Sequence, residues 1–118
     1  MFKPNDTSQL VIDLIPRSIC AVQVAAAICD RHGIVSWGWN SVGDGFGEHA
    51  EMAAIRRANR RRLPGSTIYV ASTRLRNGKS VTARPCNECA ALLSANGIYR
   101  VVWRDPSDSW RLSLFSAD

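Results

Sequence analysis

Residues 66–104 read "STIYVASTRLRNGKSVTARPCNECAALLSANGIYRVVWR", and the order of patterns within them decides the fold. "STIYVAS" (66–72) is rich in β-branched and small apolar residues and reads as a strand. "CNECAALLSANG" (86–97) reads as a helix that ends at Gly97, a residue suited to the left-handed turn closing a helix. "IYRVVWR" (98–104) is again a strand. Strand, helix and strand in this order imply a parallel pair joined by a right-handed crossover, since parallel neighbours cannot be joined by a tight turn. Between the first strand and the helix lies a polar excursion, "RLRNGKSVTAR" (74–84), with a turn signal at Asn77-Gly78.

Toward the N-terminus, the glycine-rich loop "GDGFGE" leads into a helix expected from His49 to Arg62. Met52, Ile55 and Ala58 recur on its inner side, the arginines at 56, 57, 60 and 61 point mostly outward, and Pro64-Gly65 stops it. Before the loop, "CAVQVAAAICD" and "IVSWGWNSV" are strand-like runs joined by Asp30-Arg31-His32-Gly33, which suits an antiparallel hairpin. Trp37 and Trp39 should share one face of the second run, with Ser36 and Gly38 on the other. Leu10, Val11, Leu14 and Ile15 mark one face of a first helix, with Thr7 or Ser8 as its cap and Pro16 at its end. Toward the C-terminus, Trp110, Leu112 and Leu114 alternate with Arg111 and Ser113, as in a half-buried strand. Only about five residues separate this tail from the preceding strand, so it must return antiparallel.

The expectation is an α/β fold in three layers, α/β/α: a mixed five-stranded sheet with helices on both faces and an antiparallel last strand. At 118 residues the chain fits a single domain, 1–118. No apolar run approaches the roughly 20 residues that span a bilayer, and "MFKPNDTSQL" has neither the basic nor the apolar region of a signal segment. A cytoplasmic protein with no membrane partner is expected, so the four cysteines are thiols or metal ligands rather than disulfides. The net charge of +5 is unevenly spread, because residues 52–87 hold nine Arg and Lys and no Asp or Glu. Such a field attracts phosphate, whether on a nucleotide or along a nucleic acid.

The chemistry is carried by two short motifs. His49 opens one helix, with Glu51 two residues on, and "RPCNECA" opens the other. Cys86 and Cys89 are one helical turn apart and can face one point. One imidazole and two thiolates supply three of the four positions around a tetrahedral zinc and leave the fourth for water, the pattern of a catalytic rather than a structural site. One Zn2+ per chain is expected. Helix N-termini favour thiolates and a zinc-bound hydroxide, and Glu51 is spaced to take the proton of that water and deliver it to the substrate. His32 is expected in a surface turn, and Cys20 and Cys29 are expected as buried thiols.

This H-x-E and P-C-x-x-C combination is the signature of zinc nucleobase deaminases. The chain resembles the cytidine deaminase-like superfamily from about Val22 to Arg104, and "HAEMAAI" with "PCNECA" is most similar to CMP/dCMP-type (deoxycytidylate) deaminases and related small phage-type members. The resemblance implies that His49, Cys86 and Cys89 bind zinc and Glu51 shuttles protons. It also implies that Asn40 contacts the substrate ribose and the Ala50 backbone contacts the base. The reaction implied is attack of a zinc-bound hydroxide on C4 of cytosine, giving uracil and ammonia.

Two substrates fit the residues. A free cytosine nucleotide or nucleoside would enter a closed pocket, with Arg84 or Arg74 binding any phosphate. Alternatively, single-stranded DNA or RNA would cross the basic face and present a cytosine, with an exposed tryptophan available for stacking. A homo-oligomer is a further candidate assembly, because the alanine-rich second helix offers a surface for a partner copy.

Overall fold

In the computed structural model, residues 4–42 and 48–115 are described, so the glycine-rich expectation for 43–47 lies outside the described residues. Helix α1 (Pro4–Leu14) is followed by a 3-10 turn (Ile15–Arg17), then by strands β1 (Val22–Asp30) and β2 (Gly33–Trp39). Next come α2 (Ala50–Arg57), a second 3-10 turn (Arg60–Arg62) and β3 (Thr67–Arg74). The chain ends with β4 (Ser80–Val81), α3 (Asn87–Ala95), β5 (Arg100–Arg104) and β6 (Trp110–Leu114).

The strands form one mixed sheet in the order β2-β1-β3-β5-β6, with β4 pairing β3 to one side. The β1–β2 hairpin is antiparallel, β3 and β5 are parallel across α3, and β6 returns antiparallel to β5, all as the sequence implied. The sheet has six strands rather than five. Ser80 and Val81, within the polar excursion, pair with Thr73 and Ser72 once Asn77-Gly78 turns the chain back.

β1 is central and apolar on both sides: Ala25, Ala26, Ala27 and Ile28 are fully buried. Side chains alternate along a strand. Ala26 and Ile28 therefore join Ile68, Val70 and Val101 under Ala54 and Ile55 of α2 and Leu93 of α3. Ala25 and Ala27 join Ala71 against Val11 and Leu14 of α1. Helices thus cover both faces, two on one and one on the other.

Several boundaries differ from the sequence reading. α1 starts at Pro4, so Thr7 is a fully buried residue inside the helix rather than its cap. Proline tolerates the first turn because its missing N–H has no partner to lose there. Pro16 does not stop the chain's winding but sits early in the 3-10 turn for the same reason. α2 ends at Arg57, not Arg62: Ala58 is extended, and the Asn59 side chain accepts a hydrogen bond from the Arg61 N–H at 3.1 Å, starting a separate turn. Its buried stripe is Ala50, Glu51, Ala53, Ala54 and Ile55, while Met52 and Ala58 are only half-buried. In β6, Trp110 packs edge-on against Tyr69 with centroids 5.8 Å apart, but Leu112 and Leu114 are exposed.

Ser36 and Gly38 face α2, and Trp37 and Trp39 face away, as alternation required. The Ser36 hydroxyl donates to the Ala54 carbonyl at 2.7 Å. A Cβ on Gly38 would lie 2.6 Å from the Ala53 Cβ and 2.7 Å from the Ala54 N. Glycine is needed here for close approach, not for its dihedral freedom. Gly38→Ala should push α2 off the sheet and cost about 1–3 kcal/mol. In thermal unfolding this is a fall in Tm of roughly 5–15 °C; an unchanged Tm would show that α2 yields without strain.

Candidate active site

His49 and Cys86 occupy equivalent positions. Each has extended backbone (φ −72°, ψ 151° and φ −68°, ψ 169°) and immediately precedes a helix, α2 and α3 respectively. The His49 carbonyl accepts from the Ala53 N–H at 3.0 Å, and the Cys86 carbonyl accepts from the Ala90 N–H at 2.8 Å. Neither side chain caps its own helix, which leaves imidazole and thiol free for other work. Pro85 lies just outside α3 rather than at its first position, so it directs the chain into the cap. Cys89 sits within the first turn of α3 and is fully buried.

These three residues come together as the motif spacing required. The ligand atoms of His49, Cys86 and Cys89 all lie within 4.8 Å of one another, and His49 Nδ1 is 3.1 Å from Cys89 Sγ. Bond lengths of about 2.0 Å to nitrogen and 2.3 Å to sulfur put tetrahedral zinc ligands roughly 3.3–3.8 Å apart. One imidazole and two thiols, with no carboxylate in the triangle, is a donor set suited to zinc. The residues present fit one Zn2+ per chain, which His49, Cys86 and Cys89 would hold.

Glu51, in the first turn of α2, is 6% exposed. Burial raises its carboxyl pKa, partly offset by its own backbone N–H, by His49 and by Cys89. Burial and the Glu51 charge likewise push the Cys89 thiol well up. Cation binding inverts this balance, because a coordinating thiol is deprotonated outright.

The cluster borders a cavity of about 220 Å³ that opens to the surface. His49, Ala50, Glu51 and Cys86 form one wall, and Val22, Val24, Asn40, Ser72 and Arg84 line the remainder. Arg84 is exposed at this cavity, whereas Arg74 is not part of its lining. Asn40 is at the cavity too, but its amide is largely committed. Its Oδ1 accepts from the Ser18 hydroxyl at 2.6 Å and the Val24 N–H at 2.9 Å, and its Nδ2 donates to the Val22 carbonyl at 2.8 Å. One amide hydrogen remains for a ligand.

The tryptophans are not in the cavity. Trp39 lies beneath two guanidiniums, Arg57 at 4.7 Å and Arg17 at 5.9 Å, while Trp37 is 45% exposed. His32 is exposed in its turn and accepts from Arg31. Cys29 is buried, Cys20 is half-buried, and all four cysteines are unbridged. Sequence reasoning missed Val22, Val24, Ser72 and Thr82 as lining residues, since nothing in strand composition distinguishes a residue that faces a cavity from one that faces a helix. It also missed Ser18, whose hydroxyl donates to Asn40 Oδ1 from 22 residues away and accepts from the Cys20 N–H.

The description "Cytidine and deoxycytidylate deaminase zinc-binding region" matches residues 6–104. Among solved structures, the chain is similar to a cytidine deaminase from Burkholderia pseudomallei, with a TM-score of 0.76 and 19% identity over 96% of this chain and 93% of that one. It is similar to the dCMP deaminase of cyanophage S-TIM5, with a TM-score of 0.67 and 21% identity over 91% and 88% of the two chains. A cytidine deaminase from Mycobacterium leprae gives a TM-score of 0.62 and 19% identity over 92% and 91%. No curated protein matches the sequence significantly.

Replacing one thiol tests the metal centre. Cys86→Ser should reduce zinc from about one equivalent per chain to a small fraction and lower Tm, because metal affinity is linked to folding. Cys20→Ser, outside the cluster, should keep its zinc. Elemental analysis after gel filtration reads both, and full zinc retention in Cys86→Ser would exclude this thiol as a ligand.

Proposed function

Because the chain belongs to the cytidine and deoxycytidylate deaminase family, we propose that it hydrolyses cytosine to uracil and ammonia in a free cytosine nucleotide or nucleoside. The observation that carries this reading is Glu51, a buried carboxyl beside the His49, Cys86 and Cys89 cluster on the wall of a small cavity. Zinc bound there would supply Lewis acidity, which makes water a nucleophile near neutral pH.

The remaining work falls to the chain's own groups. Glu51 carries one proton of the attacking water to the ring nitrogen N3 and then the proton remaining on the new C4 hydroxyl to the departing amine. The water oxygen bonds to C4, the C4–N bond breaks, and ammonia leaves. Burial raises the Glu51 carboxyl pKa, which makes its carboxylate a stronger base for this role. The Ala50 N–H, first in α2, has no intrahelical partner and is available to the base. Asn40 has one amide hydrogen for a sugar oxygen, and Val22 and Val24 give the ring an apolar wall.

A small substrate agrees with the arginines. Arg56 is paired with Glu48, Arg62 with Asp30, and Arg57 rests on Trp39, which leaves Arg84 as the arginine at the cavity among the described residues. One guanidinium suits one phosphate. Single-stranded DNA or RNA is the second reading, favoured by Arg74, Arg76 and Lys79 on the exposed β3–β4 hairpin, none of which has an acidic partner among the described residues.

A product screen over cytidine, deoxycytidine, CMP, dCMP and a cytosine-containing oligonucleotide, read as ammonia and uracil, tests the reading. Activity on the oligonucleotide alone, with steep loss on adding salt, would replace it with the second. Glu51→Gln should lower kcat by about 10²–10⁴-fold while retaining zinc; unchanged turnover would remove Glu51 from the mechanism. Arg84→Ala should raise KM for CMP and dCMP about tenfold and leave cytidine unaffected. Equal effects on nucleotide and nucleoside would show that Arg84 does not bind the phosphate.

A further inference from the structure

A second and larger cleft, of about 730 Å³, lies at the opposite end of the sheet. The catalytic cavity takes Val22 and Val24 from the start of β1, whereas this cleft takes Cys29 and Asp30 from its end. At about 3.3 Å per residue the two are roughly 20 Å apart. They also open on different faces. At the cleft, Cys29 meets Thr7 of α1 and Tyr69 packs with the α1 cluster, whereas Ala50 and Glu51 at the cavity belong to α2 on the other face.

The cleft is strongly basic. Arg31 and His32 come from the β1–β2 turn, Arg61 and Arg62 from the second 3-10 turn, and Arg100 from the start of β5. Asp30 is the one carboxylate among its described lining residues, and it is already consumed. Arg62 holds both its oxygens, at 2.8 and 2.7 Å, and keeps its carboxyl down to about 2. Arg31, Arg61 and Arg100 have no acidic partner among the described residues. Arg31 donates to His32, and Arg100 reaches only the Gly65 carbonyl at 3.5 Å.

Three unpaired guanidiniums from three separate elements around one concavity repel one another and present up to five N–H donors each. Phosphate oxygens match that fork geometry. The volume is that of a small-molecule site. We propose that this cleft is a second, non-catalytic site for a small polyphosphate anion, either inorganic or the phosphate chain of a nucleoside di- or triphosphate. A nucleic-acid strand is the poorer match, because one that also occupied the catalytic cavity would have to pass around the sheet to its other face.

The test is calorimetric titration of the zinc-loaded full chain at low ionic strength with sodium tripolyphosphate, ATP and a single-stranded oligonucleotide. Saturable binding of tripolyphosphate with Kd of roughly 1 mM or tighter is expected. Arg61→Ala and Arg100→Ala should each weaken it about tenfold, and Arg84→Ala should leave it unchanged. ATP equal to tripolyphosphate would identify recognition of the phosphate chain alone, and tighter ATP would add contacts to the nucleoside; both support the site. Three results would overturn it: no saturable binding, binding lost in Arg84→Ala instead, or an oligonucleotide that depends on Arg61 and Arg100 while tripolyphosphate does not bind. The readout is binding, so it stands or falls separately from deaminase activity.

Discussion

The site depends on how closely α2 can lie against β2. Gly38 presents no Cβ where Ala53 and the Ala54 N–H press on the strand, and the helix face turned inward is itself built of Ala50, Ala53 and Ala54. Small residues on both sides set the separation, and the Ser36 hydroxyl ties it at the Ala54 carbonyl. Since His49 and Glu51 are at the N-terminal end of this helix, their distance from the sheet, and hence from Cys89, follows from that contact. A larger residue at position 38 would act at the metal through packing rather than through chemistry.

The other half of the cluster is fixed by a separate device. α3 closes at Gly97, whose φ of +80° turns the chain back, and a Cβ there would meet the Pro64 Cα at 2.7 Å. The Gly65 N–H donates to the Gly97 carbonyl at 2.8 Å, so the segment after α2 is joined to the end of α3. At the helix's other end, β4 pairs with β3 and the Ala83 N–H donates to the Arg104 carbonyl, which steers the chain through Arg84 and Pro85 into Cys86. Two helices anchored independently on one sheet deliver an imidazole and two thiols to one point. This division suits a catalytic centre, since neither motif has to be bent toward the other.

What the sequence made legible was the part governed by short-range rules. Apolar runs on either side of a turn identified β1 and β2, alternation identified β6, and loop length required β6 to run antiparallel to β5. Spacing located His49, Glu51, Cys86 and Cys89 because each motif fits within one helical turn. What stayed hidden depended on tertiary contacts. The stop of α2 at Arg57 rests on the Asn59 side chain bonding locally, an alternative that competes closely with continued helix. β4 has only two residues and exists because β3 offers it an edge. Asn40, a candidate from the sequence, lines the cavity, but the commitment of most of its amide to Ser18, Val24 and Val22 required the fold.

The basic run between residues 52 and 87 shows why charge cannot be read as a single field. The fold sends Arg56 to Glu48, Arg57 to the face of Trp39, Arg62 to Asp30 and Arg61 to the far cleft, while Arg84 faces the catalytic cavity. Exposed charges are screened beyond about 10 Å at 0.1 M salt. Across roughly 20 Å of sheet, the far arginines therefore add little to the field at the cavity beside His49, Cys86 and Cys89. For the nucleotide substrate proposed above, Arg84 is the arginine at the cavity, and the excess of positive charge elsewhere needs another cause. A ligand at the second cleft would supply one, and the two sites would then answer to salt independently.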